Sequence, residues 1–360
     1  MTTLISTQEE LTPDWLGQAL GDAGRLTTGT VTDVAAKRIG SGRLGTTYLL
    51  TPGYSAGPTV GPERLVAKLP ATDDASRQFS AAMGAYTREV SFYRDIATHV
   101  PVRTPECYHA AVSDDGLTFC LLLEDLTPAA ECDQVEGCDV DRAETALRQA
   151  AALHAGSWND RGLQRYAWLD SGLGIWRKMG ADAAQAQKAF RAGYDGLLDD
   201  ASHRVAAGLE TGIAQRWVEL IARPRCLWHC DFRLDNLLFD ARGGEVPLAV
   251  VDWQSVALAD GTIDASYFIG ASIPTDLRRE HEERLVRGYH HTLEEQGVTD
   301  YPWDECWRDY RVNALSGFMV SMMAALGTER SPDADTMFST MAARDAAHIE
   351  DHDTLALLED

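Results

Sequence analysis

His229-Cys230-Asp231-Phe232-Arg233-Leu234-Asp235-Asn236 is followed, past the glycine pair Gly243-Gly244, by Val250-Val251-Asp252-Trp253-Gln254. The order is carboxylate, amide, carboxylate. Phosphoryl transfer needs a base that accepts a hydroxyl proton and two oxygen ligands for a hard cation. Asp231 reads as the base, with Asn236 and Asp252 as the Mg²⁺ ligands and His229 as the residue that holds the loop in shape. Each alone has a plain structural reading, since Asp231 could cap a turn and Asn236 could start a strand. Together, before the apolar run Leu248–Val251, they point to chemistry.

A nucleotide needs a second set of groups upstream. Lys68 lies in Val66-Ala67-Lys68-Leu69, an apolar strand-like run, and can reach ATP phosphates. Glu89 sits at the edge of the apolar stripe Tyr86, Val90, Tyr93, Ala97 of a helix expected over 76–97. An inward-facing glutamate needs a cation, and Lys68 is the one available. Gly40-Ser41-Gly42-Arg43-Leu44-Gly45 falls between two expected strands, where glycines let backbone amides approach phosphate oxygens. Gly40, Ser41, Gly42 and Gly45 are therefore candidates for the phosphate turn. It is not a dinucleotide fingerprint, because no helix opens after it, and no Gly-Lys-Ser/Thr follows. The run Leu121–Leu126 ends in a break, where backbone near Glu124 and Leu126 would meet an adenine.

Outward from these motifs, the chain divides. Strands are expected at Val31–Ile39, Thr46–Leu50, Leu65–Leu69, Cys107–Val112 and Thr118–Leu123, with helices at 8–24 and 76–97. Beyond Thr127-Pro128 the pattern turns helical, at about 141–156, 181–198, 203–222, 276–296, 303–326 and 334–356. The exception is a hairpin of Asn236–Phe239 and Leu248–Asp252. This is a two-lobed plan.

The 360 residues carry a net charge of −23, which argues against nucleic acid and anionic membranes as partners. Residues 1–126 carry −5 of it and 127–360 carry −18, a solvated acidic surface or a draw for a cationic substrate. Seven cysteines without a CxxC pair read as reduced thiols, and no signal peptide is evident, so a cytoplasmic protein is expected. The uncharged, largely apolar run Val312–Thr328 contains Asn313, Ser316, Gly317 and Ser321 and is too polar and short for a membrane span. No obligate protein partner is evident.

These residues resemble the aminoglycoside phosphotransferase and choline kinase superfamily, nearest its ecdysteroid-kinase-like branch by Leu123-Glu124-Asp125-Leu126 and Asp252-Trp253-Gln254. The likeness runs over about 36–272. It implies an α+β, protein-kinase-like bilobal fold. The N-lobe, residues 1–126, would be a five-stranded antiparallel sheet with one main helix; the C-lobe, residues 127–360, would be mostly helical. A hinge would lie near 124–127 and the catalytic loop at 229–236. It also implies ATP and Mg²⁺ as cofactors, an O-phosphotransferase activity, and Asp264 as either a brace for the loop or an ordinary helix cap. Cys230 stands where protein kinases carry arginine, Trp253-Gln254 follows Asp252 instead of Phe-Gly, and Ala-Pro-Glu is absent. These departures imply a small-molecule acceptor bearing a hydroxyl, either a fairly apolar metabolite or natural product, or an aminoglycoside. A nucleotide-binding pseudokinase scaffold is the remaining alternative. Arg233 admits two readings, a γ-phosphate contact or a salt bridge to Asp235. His154 reads as a packed core histidine. Trp158, Trp168, Trp176, Tyr267, Phe318, Met319 and Met323 line a pocket or fill the core.

Overall fold

A computed structural model describes residues 2–40, 44–58, 61–130, 132–223 and 225–359, without the side chains of 170–172. The chain forms two compact units, Met1–Thr127 with Val251–Val256, and Pro128–Val250 with Ala257–Asp360.

The first unit begins with α1 (Pro13–Asp22), capped by the Thr12 hydroxyl on the Trp15 amide. A five-stranded antiparallel sheet follows, built from β1 (Val31–Ile39), β2 (Gly45–Tyr54) and β3 (Leu65–Pro70), then β4 (Cys107–Val112) and β5 (Phe119–Glu124) after two helices. The spatial order is β1-β2-β3-β5-β4. This is the five-stranded sheet of the expected fold. Alternation along β2 and β3 buries Tyr48, Leu50, Leu65, Ala67 and Leu69 with Leu16 and Leu20 of α1. Each of these leucines contributes about 1.5–3 kcal/mol by leaving water.

One helix was expected over 76–97; two form. They are α2 (Asp74–Ala82) and α3 (Ala85–Asp95), separated at Gly84, whose φ of 64° no β-carbon-bearing residue adopts without strain. Apolar periodicity survives such a break, so the pattern alone reads as continuous. The segment 251–256 belongs to this unit because α3 holds it. Trp253 stacks on Phe92 with centroids 3.9 Å apart and planes at 7°, and Arg88 Nε donates to the Gln254 carbonyl at 3.2 Å.

The second unit is helical around two small sheets. Its helices begin with α4 (Val140–Ala155), α5 (Ala167–Gly193), α6 (Asp200–Gly208) and α7 (Ile213–Ile221). After the strands come α8 (Thr262–Ser272), α9 (Thr275–Glu295), α10 (Trp303–Val312), α11 (Leu315–Gly327), α12 (Pro332–Asp351) and α13 (Thr354–Glu359). The single helix expected over 203–222 breaks at Gly212, φ 82°, and those over 303–326 and 334–356 each divide in two. The hairpin is β7 (Leu237–Ala241) with β8 (Val246–Val250). A further pair, β6 (Cys226–Trp228) with β9 (Ala257–Ala259), is too short to show a period in the sequence. Trp217 is fully buried and donates its indole N–H to Asn313 at 3.0 Å. Among the described residues, no helix is long and apolar enough to cross a membrane. All seven cysteines are free thiols.

An ion cluster in this unit titrates near neutrality. Arg225 meets Glu305 at 2.5 Å, Asp309 at 3.4 Å and Asp260 at 3.8 Å. Burial and the Asp260 carboxylate push Asp309 up to about 7, against the pull of Arg225. Its folded pKa lies above the ordinary 3.8. Its contribution to stability is therefore complete below the unfolded value and is lost as pH rises through the folded one. Asp309→Asn should lose less thermal stability than the parent between about pH 5 and about pH 8. Equal losses in the two proteins would refute this assignment.

Candidate active site

In the first unit, Lys68 projects from β3, whose register sets Lys68 opposite Thr47 of β2 and Leu121 of β5. Its ammonium lies 2.5 Å from Glu89 Oε1 and 3.0 Å from Asp252 Oδ1. Burial works against the charge, but Asp252 and Glu89 outweigh it and raise the pKa above the ordinary lysine value. Glu89 itself is 1% exposed, and burial raises its pKa despite the lysine. Asp252 has φ 65°, a left-handed conformation that a non-glycine residue holds only where the surroundings impose it. Here Trp253 and Gln254 are anchored on α3. The second Asp252 oxygen accepts from the Gln254 amide at 3.2 Å.

A recess in this unit is lined by Gly45, Thr47, Lys68, Glu89, Asp252 and Gln254, with Tyr86 and Phe119 behind them. The Tyr86 hydroxyl and Ser80 both donate to the Leu44 carbonyl, fastening the C-terminal end of the glycine turn. Gly40 has φ 68° and Gly45 opens β2; Ser41 and Gly42 lie outside the described residues. A lysine, an adjacent carboxylate and a glycine turn suit phosphate and a hard cation, so the donor set fits a nucleotide with Mg²⁺.

β5 ends at Glu124, and Leu126 follows two residues on. The Glu124 amide donates to the Glu106 carbonyl at 2.8 Å, so this donor is already used within the unit. The Glu124 carboxylate meets Arg103 at 2.5 Å and the Glu106 amide at 3.1 Å. Leu126 is buried.

In the second unit, β6 delivers His229 and the loop after it. The Asp231 carboxylate is engaged on both oxygens. Oδ2 accepts from Asn236 Nδ2 at 2.8 Å, and Oδ1 accepts from Arg233 Nε at 3.1 Å and from the Tyr267 hydroxyl at 3.3 Å. Asn236 Nδ2 also donates to the Asp231 carbonyl at 2.8 Å. Both contacts use the amide nitrogen, so the Asn236 carbonyl oxygen is the atom left to meet a cation. Arg233 also pairs with Asp235, together with its contact to Asp231.

The loop is braced from below. Asp264, wholly buried in the first turn of α8, accepts the His229 amide at 2.8 Å and the Cys230 amide at 3.2 Å. Its Oδ2 also meets His154 Nε2 at 3.2 Å, and His154 Nδ1 meets the Tyr289 hydroxyl at 2.8 Å. Asp264 is thus a brace, and His154 is a core histidine that steadies it. The β6–β9 pairing puts the start of α8 beneath the loop. Cys230 sits at φ 71°, and the bend it makes turns the chain into Asp231. The His229 ring accepts the Asp231 amide at 3.3 Å.

Two partners were not foreseen in these roles. Tyr267 had been placed in a pocket or the core, yet its hydroxyl reaches Asp231; burial and the Asp231 charge raise its pKa well above the ordinary value. Gln134, in the connection before α4, accepts the Leu234 amide at 3.1 Å. Neither has a sequence spacing that would announce it. Of the aromatic and methionine residues considered for a pocket, Trp176, Phe318 and Met319 are buried in the core of the second unit, and Met323 packs against it. The Trp158 indole binds Asp300 at 3.1 Å.

The ecdysteroid kinase-like family model matches residues 59–298. No curated protein matches the sequence. Among solved structures, choline kinase from Cryptosporidium parvum Iowa II has a TM-score of 0.55 at 11% identity, covering 96% of this chain and 92% of that one. The gentamicin complex of APH(2")-IIa has a TM-score of 0.51 at 13% identity, covering 96% and 99%. At such identities the likeness shows the fold alone, which is protein-kinase-like. The family match spans more than half of the sequence, and the chain therefore belongs to the ecdysteroid kinase-like family, among the small-molecule phosphotransferases.

Proposed function

We propose that the protein transfers the γ-phosphoryl group of ATP to a hydroxyl of a small molecule. The observation that carries this reading is the Lys68 ammonium held between Glu89 and Asp252. A strand lysine paired to a helix glutamate is the arrangement by which kinases position a lysine for phosphate oxygens. Lys68 and the amides of the glycine turn bind the phosphates, and the end of β5 takes the base. Asp252 and Asn236 would hold Mg²⁺, which when bound neutralises charge on the phosphate oxygens.

Asp231 orients the acceptor. As the acceptor oxygen bonds the γ-phosphorus and the bond to the ADP oxygen breaks, Asp231 takes the hydroxyl proton. Tyr267 and Asn236 fix the carboxylate rotamer, and Arg233 offsets its charge. The acceptor is a hydroxylated small molecule. Cys230 and Trp253, in place of the protein-kinase residues, support that class, and an ATP-consumption screen over alcohols, amino sugars and aminoglycosides identifies it.

Three substitutions test the roles. Asp231→Asn should keep ATP affinity within about twofold and lower kcat by roughly 10²–10⁴; normal turnover removes Asp231 as the base. Lys68→Met should lower kcat/KM for ATP by roughly 10²–10³, and unchanged ATP kinetics would take Lys68 out of the phosphate site. Asp264→Asn loosens the loop without touching either substrate. Its kcat should fall roughly 100-fold, the scale of a one-ångström misplacement, with nucleotide affinity intact. An unaltered kcat in that variant contradicts the brace.

A further inference from the structure

Away from the catalytic loop, in the second unit, two histidines and a glutamate converge. His348 in the last turn of α12 and His352, which caps it, are four residues apart and share one face. Glu282 of α9 lies against both. His352 Nε2 is 3.1 Å from Glu282 Oε1, and His348 Nε2 is 3.8 Å from Glu282 Oε2. One ligand atom from each of the three lies within 4.8 Å of the others. Around a tetrahedral zinc ion with bonds of about 2.0–2.1 Å, neighbouring ligand atoms stand roughly 3.3 Å apart. The His352–Glu282 pair is already near that spacing, and the others would have to close toward it around an ion.

His352 Nε2 lies at ion-pair distance from Glu282 but makes no hydrogen bond with the described residues, and His348 is in the same position. The His348 ring is wholly buried, and neither of its nitrogens has a hydrogen-bond partner among the described residues. An orphaned buried polar group costs about 1–3 kcal/mol. The orphan on its far side has a companion. Asp345 Oδ1 is also without a partner among the described residues. A β-carbon on Gly270 would lie 2.7 Å from His348 Nδ1 and 2.9 Å from Asp345 Oδ1, so both atoms border the same point of α8. The two atoms are not hydrogen-bonded to each other as they stand; a bond from Nδ1–H to Asp345 would direct the Nε2 lone pair toward Glu282 and His352, as in carboxylate–histidine–metal arrangements.

The geometry points to a binding site for a zinc-class divalent cation formed by Glu282, His348 and His352, with Asp345 orienting His348. Imidazole and carboxylate together suit zinc, cobalt and nickel. Arg278 Nη1 donates to Glu282 Oε2 at 2.6 Å, and the Tyr310 hydroxyl approaches that oxygen at 3.3 Å, so Oε1 is the ligand atom. The Arg278 charge is itself paired with Asp351. Ser321 holds the other Asp345 oxygen at 3.1 Å. Burial of the histidines makes this a structural site that ties the end of α12 to α9, apart from the phosphotransfer residues.

The test uses the full chain, freed of any polyhistidine tag, stripped with chelator and dialysed against Zn²⁺ or Co²⁺. One ion per chain is expected, with the visible absorption of four-coordinate cobalt and a higher melting temperature. His348→Ala/His352→Ala should lose stoichiometric binding, and Asp345→Asn should bind roughly 10- to 100-fold more weakly. If the parent retains no ion, or the double variant binds as well as the parent, the site does not exist. Should the double variant fail to fold, Glu282→Gln keeps the shape and an acceptor for Arg278. Unchanged affinity in Glu282→Gln overturns the proposal, and loss of binding in a folded Glu282→Gln supports it.

Discussion

A lysine ammonium leaves water only where carboxylates replace the solvent, and the first unit is organised by that requirement at Lys68. Glu89 alone would neutralise it. The second carboxylate, Asp252, comes from a segment far along the chain, which must be held against α3 for the contact to exist. Phe92 receives Trp253 face to face, and Arg88 takes the Gln254 carbonyl. The charge pairing and the aromatic stack therefore support one another. The stack fixes a strained left-handed residue, and that strain aims its carboxylate at the lysine.

The second unit solves a parallel problem with a buried carboxylate. Asp264 replaces its lost hydration with two backbone amides and a histidine. Those amides belong to the residues just before Asp231. A group that is costly to bury in isolation thus becomes the support of the loop, because every oxygen it buries has a donor. The zinc-class site would apply the same rule with the opposite sign, using buried lone pairs that a cation satisfies.

Much of the candidate site was legible in the sequence because chemistry restricts residue type at short spacing. Asp231 and Asn236 share a tight loop, and Lys68 sits in a run whose apolar neighbours leave only a strand. Glu89 followed from the need of an inward-facing carboxylate for a cation. Periodicity failed at Gly84 and Gly212, where the apolar stripe continues across a break in the helix. It failed also for β6 and β9, which are three residues each. The bond from the Glu124 amide to the Glu106 carbonyl had no trace in the sequence, because the two residues lie on different sides of β4.

The sequence by itself determined the two-part plan, the α+β fold and the identities of the polar residues, since these depend on local pattern and residue chemistry. Tertiary structure decided which of them meet. Tyr267 reaches Asp231, Asp264 becomes a brace instead of a cap, and Arg233 lies between two carboxylates. The same holds for Glu282, whose histidine partners lie in a helix distant in sequence. Contacts between residues far apart in the chain leave no periodic trace, because they are fixed by how helices pack and not by the spacing within any one of them.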